Sequence, residues 1–189
     1  YEQLTRAQVA KLKFRPMPPG TKWGAKWEYA WFKGRVKLPA AARGERIVVR
    51  INVGAESAVL VNDVEAGAAD GQHHEITLAM KGVPGRVYDL LIEAYGGHGV
   101  WECGYGPVPD GEQTVPEPPP TQCTVGETTF GIWDDDAYQA YMDFETLLQV
   151  RDNLDQNSLR VAEIDAALKE FTLIADVELP RPGLSAALR

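Results

Sequence analysis

The sequence predicts a mainly β protein, a β-sandwich followed by a helical connector of two antiparallel helices. The first observation is the stretch from Trp23 to Tyr95, in which apolar and polar residues alternate between turn residues, as they do in half-buried strands. The second is a change to a spacing of three and four residues after Trp133. Short strands separated by regular turns favour a sandwich over a parallel sheet with crossover helices.

Three segments give the strands of this stretch. Residues 46–53 are rich in β-branched side chains and stop at Gly54, which predicts a strand. Residues 57–67 predict a hairpin, because the turn pair Asn62-Asp63 tolerates a left-handed backbone. Residues 87–95 are mostly apolar and predict a central strand covered on both faces.

The ends of the sandwich are also indicated. Residues 1–14 predict a short amphipathic helix with Thr5 as its cap, and the prolines that follow end it. Six prolines between 107 and 120 predict an extended linker. We therefore expect a sandwich domain over residues 1–106, a linker over 107–129 and a helical connector over 130–189.

The two helices of the connector have caps and apolar stripes. Asp134 and Ser158 are the expected N-caps, and 153–157 is the expected turn. The residues expected to be buried are Tyr138, Tyr141, Phe144 and Leu148 in the first helix, and Val161, Ile164, Leu168, Phe171 and Ile174 in the second.

Composition limits the classes of function. A net charge of -8 and a pI near 4.9, with no basic stripe, argue against binding of nucleic acid or of an anionic membrane. No run reaches the roughly 20 apolar residues that cross a bilayer, and no signal-peptide pattern is present, so we expect a soluble cytoplasmic protein. Cys103 and Cys123 are too few for a disulfide scaffold and are expected to be thiols.

The aromatic residues Trp23, Trp27, Trp31 and Phe32 lie within ten positions. Such clustering is compatible with sugar stacking, because ring faces pack on the C–H face of a pyranose. Core packing is the favoured interpretation, since Trp31 and Phe32 point to opposite faces of a strand and Trp23 and Trp27 fit as plugs of the sandwich.

Two loops carry the polar side chains of most interest. Adjacent His73 and His74 diverge in an extended chain and seldom bind one metal, so Asp70 and His73 are expected to hydrogen-bond locally. Loop 96–106 is rich in glycine but lacks the Lys-Ser/Thr of a phosphate loop.

If the chain binds a small ligand, this second loop is the expected place. Trp101 would stack on the ligand, and His98 or Glu102 would bond its hydroxyls. An ordered loop that packs on a neighbouring domain is the favoured alternative. Cys103, Cys123 and His98 lack the spacing of a zinc site, so we expect no metal site in this chain.

Short motifs in one order resemble the N-terminal region of α-mannosidases of glycoside hydrolase family 38. They are Trp23-Gly24, Trp31-Phe32, Leu38-Pro39, the hairpin around Asn62-Asp63, Asp70 with His73-His74, and Ile92-Glu93-Ala94. The segments around Phe130-Gly-Ile-Trp133, Tyr138 and Ser158 resemble the part that joins this region to the catalytic barrel. The resemblance covers nearly the whole chain and implies a sandwich of the jelly-roll or galactose-binding-like kind.

The resemblance implies a zinc-dependent retaining glycosidase as the parent protein. Its zinc ligands begin in a His-rich stretch that this sequence does not contain, so zinc is expected in the catalytic domain and no catalytic role passes to any residue here. The expected function is a non-catalytic region that supports its own catalytic domain and takes part in a homo-oligomer, within a chain that is part of a longer protein. Two alternatives remain, a carbohydrate-binding module for mannose-containing glycans and a complete small enzyme.

Overall fold

The computed structural model describes residues 4–97 and 119–174, which belong to two compact units divided between Trp133 and Asp134. Among the described residues, no helix combines the length and the apolar character needed to cross a membrane.

The first unit is a β-sandwich, as predicted. A four-stranded antiparallel sheet has the order β2-β7-β4-β5, a three-stranded one has the order β6-β3-β9, and β1 pairs with β8 in a short ribbon. The strands are β1 (Lys22–Trp23), β2 (Tyr29–Lys37), β3 (Ile47–Arg50), β4 (Glu56–Val61), β5 (Val64–Ala69), β6 (Glu75–Ala79), β7 (Val87–Tyr95), β8 (Cys123–Thr124) and β9 (Thr129–Ile132).

The core lies between the two larger sheets. Alternate residues of β7, from Tyr88 to Ala94, are buried together with Ile47 and Val49 of β3 in one apolar cluster. The central position predicted for β7 is confirmed, because β7 pairs with β2 on one side and β4 on the other. The predicted burial of both faces is wrong: Asp89, Glu93 and the other intervening residues are partly or fully exposed.

The predicted hairpin is confirmed. Asn62 and Asp63 have φ values of 51° and 66° and connect β4 to β5. Two successive left-handed residues match the right-handed twist of the flanking strands, which explains why Asn-Asp suits this turn.

A short helix precedes the sandwich. Helix α1 (Arg6–Val9) begins at the Thr5 cap, as expected, but covers only four residues of the predicted 1–14. Its Arg6 guanidinium lies 2.9 Å from the Glu65 carboxylate, and Val9 is buried. The helix is therefore attached to the β4-β5 hairpin.

The structure extends the sandwich beyond its predicted end at residue 106. Strand β9 pairs with β3, with Phe130 opposite Val49, and the Trp133 N–H donates to the Arg46 carbonyl at 2.8 Å. Strand β8 lies inside the predicted linker and pairs with β1. Sequence analysis missed both strands because they are short and obtain their hydrogen bonds from partners that are distant in sequence.

The second unit is a helical hairpin of α2 (Asp135–Asp152) and α3 (Leu159–Ile174). Both predicted caps are confirmed: the Asp134 side chain accepts from the Ala137 N–H, and the Ser158 hydroxyl accepts from the Val161 N–H.

The hairpin is antiparallel. Phe144 contacts Phe171 with ring centroids 5.4 Å apart, while Arg151, near the end of α2, lies 3.4 Å from Asp165 in the first half of α3.

The predicted stripes are partly correct. Val161, Ile164 and Leu168 are buried in α3, as expected. Tyr138 and Tyr141 of α2 are exposed instead, and Ala140 is the buried residue. Both tyrosines are rotated by about 100° or more around the helix axis from Ala140. Their spacing of three therefore places them on one face of α2, but that face is the exposed one.

Candidate functional site

One end of the four-stranded sheet carries three clustered aromatic rings, Trp27, Tyr29 and Tyr95, which we call the aromatic end. The ring centroids of Tyr29 and Tyr95 are 5.0 Å apart, and those of Trp27 and Tyr95 are 6.5 Å apart. Trp27 is 50% exposed and Tyr29 is 42% exposed. Large aromatic surfaces left in water are uncommon and mark contact sites for ligands or other domains.

The sheet register places these rings. Tyr29 of β2 lies directly opposite Tyr95 of β7, and Glu56 of β4 lies opposite Tyr95 on the other side. Directly paired residues share one face of a sheet, so two phenol rings and a carboxylate form a row across three strands.

Trp27 joins the row through an unusual backbone conformation. Its φ of 64° is left-handed, and its N–H donates to the Gly97 carbonyl at 2.9 Å. A side chain with a Cβ pays about 1–2 kcal/mol for this conformation, which persists where the surroundings enforce it. In this conformation the half-exposed indole lies beside Tyr95.

The pKa of Tyr95 in the aromatic end depends on the groups around it. Partial burial, and then the proximity of Tyr29 and Glu56, raise the pKa of Tyr95. A tyrosine hydroxyl is protonated at neutral pH even at its ordinary pKa, so this group is a hydrogen-bond donor and the Glu56 side chain is an acceptor. Aromatic faces with such polar groups at their edge suit a sugar ring or another protein surface.

The predicted ligand residues His98, Trp101 and Glu102 lie outside the described residues. So does Cys103. Gly97, which contacts Trp27, is the last described residue before them. Their role stays a prediction.

The other aromatic residues divide between the core and the surface. Trp23 is buried, packs edge-to-face on Phe32 at 5.2 Å and donates its indole N–H to the Val53 carbonyl at 2.7 Å, which confirms the core interpretation for both. Trp27 contradicts that interpretation. Sequence analysis missed its exposure because nothing in the spacing reveals a left-handed backbone at a tryptophan.

Asp70 and His73 form the expected local hydrogen bonds. Asp70 Oδ1 accepts from the backbone N–H of Gln72 and of His73, each at 2.7 Å, and its carboxylate lies 3.1 Å from His73 Nδ1. These bonds, led by the one from the His73 N–H, lower the pKa of Asp70 to about 2. His74 turns away and places Nδ1 3.0 Å from the Ile51 carbonyl oxygen. The Asp70 loop is a structural turn.

The described residues contain no group of three His, Cys, Asp or Glu side chains arranged to hold a metal ion. Cys123 is a buried free thiol, and burial, with a smaller effect of Glu28, raises its pKa. A raised pKa disfavours the reactive thiolate, so this thiol packs as an apolar group.

A family comparison identifies the sandwich. The family described as "Alpha-mannosidase, jelly roll domain" matches residues 1–113. The chain belongs to this family. Its sandwich is therefore an alpha-mannosidase jelly-roll domain, in agreement with the resemblance in the sequence. The assignment to glycoside hydrolase family 38 stays a prediction.

Other comparisons are less informative. No curated protein matches the chain at a significant level. Solved structures of Ruminococcus gnavus beta-glucuronidase, both the apo form and the complex with D-glucuronic acid, are 18% identical with a TM-score of 0.35. The likeness covers 43% of this chain and 16% of theirs, so the chain matches only a small part of those enzymes.

Proposed function

We propose that this jelly-roll domain and the helical hairpin after it support the catalytic domain of an alpha-mannosidase without taking part in the chemistry. The observation that carries the proposal is the family match, which spans most of the sandwich unit. The zinc ion that the family resemblance implies belongs in this proposal to the catalytic domain, since the described residues offer no three-ligand group for it.

Exposed apolar side chains support a packing role. Tyr141 on α2, and Leu159 and Leu173 on α3, are all more than half exposed. Trp27 and Tyr29 add an exposed aromatic surface on the sandwich. Contact with a catalytic domain or with a second copy of the chain would remove this surface from water, at about 25 cal/mol per Å² of apolar area.

Truncation of the complete enzyme tests this role. The protein from the whole reading frame is compared with a version that lacks residues 1–133, using the rate of thermal inactivation and the hydrolysis of a nitrophenyl α-mannoside. We expect the truncated enzyme to be inactivated at a lower temperature. An unchanged inactivation temperature and unchanged hydrolysis would contradict the supporting role.

The aromatic end favours carbohydrate binding as a second candidate function. Its two exposed rings next to a protonated phenol and a carboxylate match what a mannose-containing glycan requires: stacking surface, a donor and an acceptor. The predicted residues His98, Trp101 and Glu102 follow this end in sequence and are part of the same proposal.

Sugar titration separates the two functions. Under the carbohydrate proposal, α-mannobiose at millimolar concentration changes the tryptophan fluorescence of the chain, and both Trp27→Ala and Trp101→Ala reduce the change. Tyr141→Ala is the control, because that ring is 59% exposed, against 50% for Trp27, but lies on the helical hairpin. The absence of any change with sugar would leave the supporting role alone.

A further inference from the structure

A second feature of the sandwich is a cavity of about 510 Å³ at the edge of the four-stranded sheet. Strand β2 forms that edge, and its residues 30–34 line one side of the cavity. The N-terminal residues 12–17 line the other side. A volume of 300–1,000 Å³ is usual for a small-molecule site.

The inner wall of the cavity is apolar. Apolar side chains of the four-stranded sheet, Phe32 and Ile92, reach it together with Trp23 and Val125 from the region of the β1-β8 ribbon. The cavity is therefore an opening toward the core beside the edge strand β2, where an apolar group can leave water.

The rim of the cavity is positively charged. Lys13, Arg15 and Lys33 line it, and the described part of the chain offers no carboxylate that forms an ion pair with any of them. Glu28 is the acidic residue of the lining, and its Oε2 already accepts from the Ala25 N–H at 2.7 Å. Three cationic side chains against one carboxylate leave the lining with a net positive charge.

The positive charge of this rim is not apparent from the overall net charge of -8. Residues 1–50 contain twelve of the nineteen Lys and Arg residues and three of the 27 Asp and Glu residues. Sequence analysis found no basic stripe because these cations are spread along the chain. Folding brings Lys13 and Arg15 to the edge strand that carries Lys33.

The lining also contains an unsatisfied donor. Trp31 lines the cavity, and its buried Nε1–H has no hydrogen-bond partner among residues 4–97 and 119–174. A buried donor left unpaired costs about 1–3 kcal/mol, and a small rotation of the indole toward an incoming acceptor would recover part of that cost.

We propose that this cavity binds an amphiphilic anion. The apolar body of the ligand lies against the apolar inner wall, and its carboxylate, phosphate or sulfonate group lies against Lys13, Arg15 and Lys33. This inference is independent of the supporting role and of sugar binding at the aromatic end, because it uses none of the residues of the aromatic end.

The test uses anilinonaphthalene sulfonate, an aromatic anion whose fluorescence rises in apolar surroundings, titrated into the full chain at low salt. We expect one saturable site with energy transfer from tryptophan, since Trp23 and Trp31 line the cavity. Octanoate should displace the probe, and octanol, which has the same chain length but no charge, should displace it at least about fivefold less well.

Matched lysine variants locate the site. Lys13→Met and Lys33→Met should each weaken probe binding by up to about fivefold, the range for a single exposed ion pair. Lys11 lies two residues before Lys13, and Lys37 lies four residues after Lys33; both are outside the lining of the cavity. The control variants Lys11→Met and Lys37→Met should therefore bind the probe as the unchanged chain does. Equal binding by all four variants, or equal displacement by octanol, would overturn the proposal, as would the absence of saturable binding.

Discussion

Trp27 shows how a single residue can depart from what its sequence neighbourhood predicts. The indole belongs to a dense run of aromatic residues, and such runs are usually core. A left-handed φ of 64° turns it to the surface, while Trp23, four residues earlier, is buried and hydrogen-bonded. Strain at an exposed aromatic residue is a reason to look for a ligand there.

The Asp70 turn makes stability depend on pH in the acid range. The folded pKa of Asp70 is about 2, below the value of about 3.9 for an unfolded chain. The carboxylate therefore stabilises the fold above about pH 4, and this contribution is lost as the pH falls through the folded pKa. We expect Asp70→Asn to lower the urea midpoint at pH 7 and to reduce the loss of stability between pH 4 and pH 2.

Asp63→Asn is the control for this prediction, because it removes a carboxylate from another exposed turn in which Asn is equally suited. If the urea midpoints of Asp70→Asn and the unchanged chain ran parallel from pH 7 to pH 2, the Asp70 carboxylate would not have the stabilising role given to it here.

A comparison of alanine substitutions at Gly54 and Gly44 distinguishes the cost of a left-handed backbone from the cost of a steric clash. Both have left-handed φ values, 79° and 76°. A Cβ on Gly54 would meet the Thr124 carbonyl oxygen closer than real contacts allow, and a Cβ on Gly44 would meet nothing. We expect Gly44→Ala to cost about 1 kcal/mol and Gly54→Ala about 1–3 kcal/mol more, measured as free energies of unfolding in urea. Equal costs would mean that β8 does not lie against Gly54.

At the scale of elements, sequence analysis succeeded where local chemistry decides the structure. The β4-β5 hairpin follows from Asn62-Asp63, and the helix starts follow from Asp134 and Ser158. Strands β8 and β9 were missed because their pairing with β1 and β3 is a long-range property. Of the candidate sites, the aromatic end required the register of β2, β7 and β4, and the cavity required a sheet edge. Neither can be derived from spacing alone.

The helical hairpin gives a prediction about its own interior. Ile164 of α3 is 6% exposed and Leu159 is 76% exposed. We expect Ile164→Ala to destabilise the hairpin by about 2–4 kcal/mol and Leu159→Ala by no more than about 0.5 kcal/mol, followed as loss of helical circular dichroism in urea. A larger cost for Leu159→Ala would show that the apolar stripe of α3 faces the other way.

At the scale of the whole molecule, the chain has two units with different compositions. The sandwich belongs to the alpha-mannosidase jelly-roll family and contains the cationic residues of the N-terminal fifty. The described part of the hairpin, 134–174, is acidic. The proposed division of labour is therefore one in which the glycosidase reaction occurs on another domain, while this chain provides surfaces for contact and binding.

The most direct test of this division is the hydrolysis of a nitrophenyl α-mannoside by this chain and by the complete protein, side by side at equal molarity with zinc present. The account predicts turnover by the complete protein and none by the chain above the buffer rate. Zinc-dependent turnover by the chain alone, or no turnover by the complete protein, would contradict it.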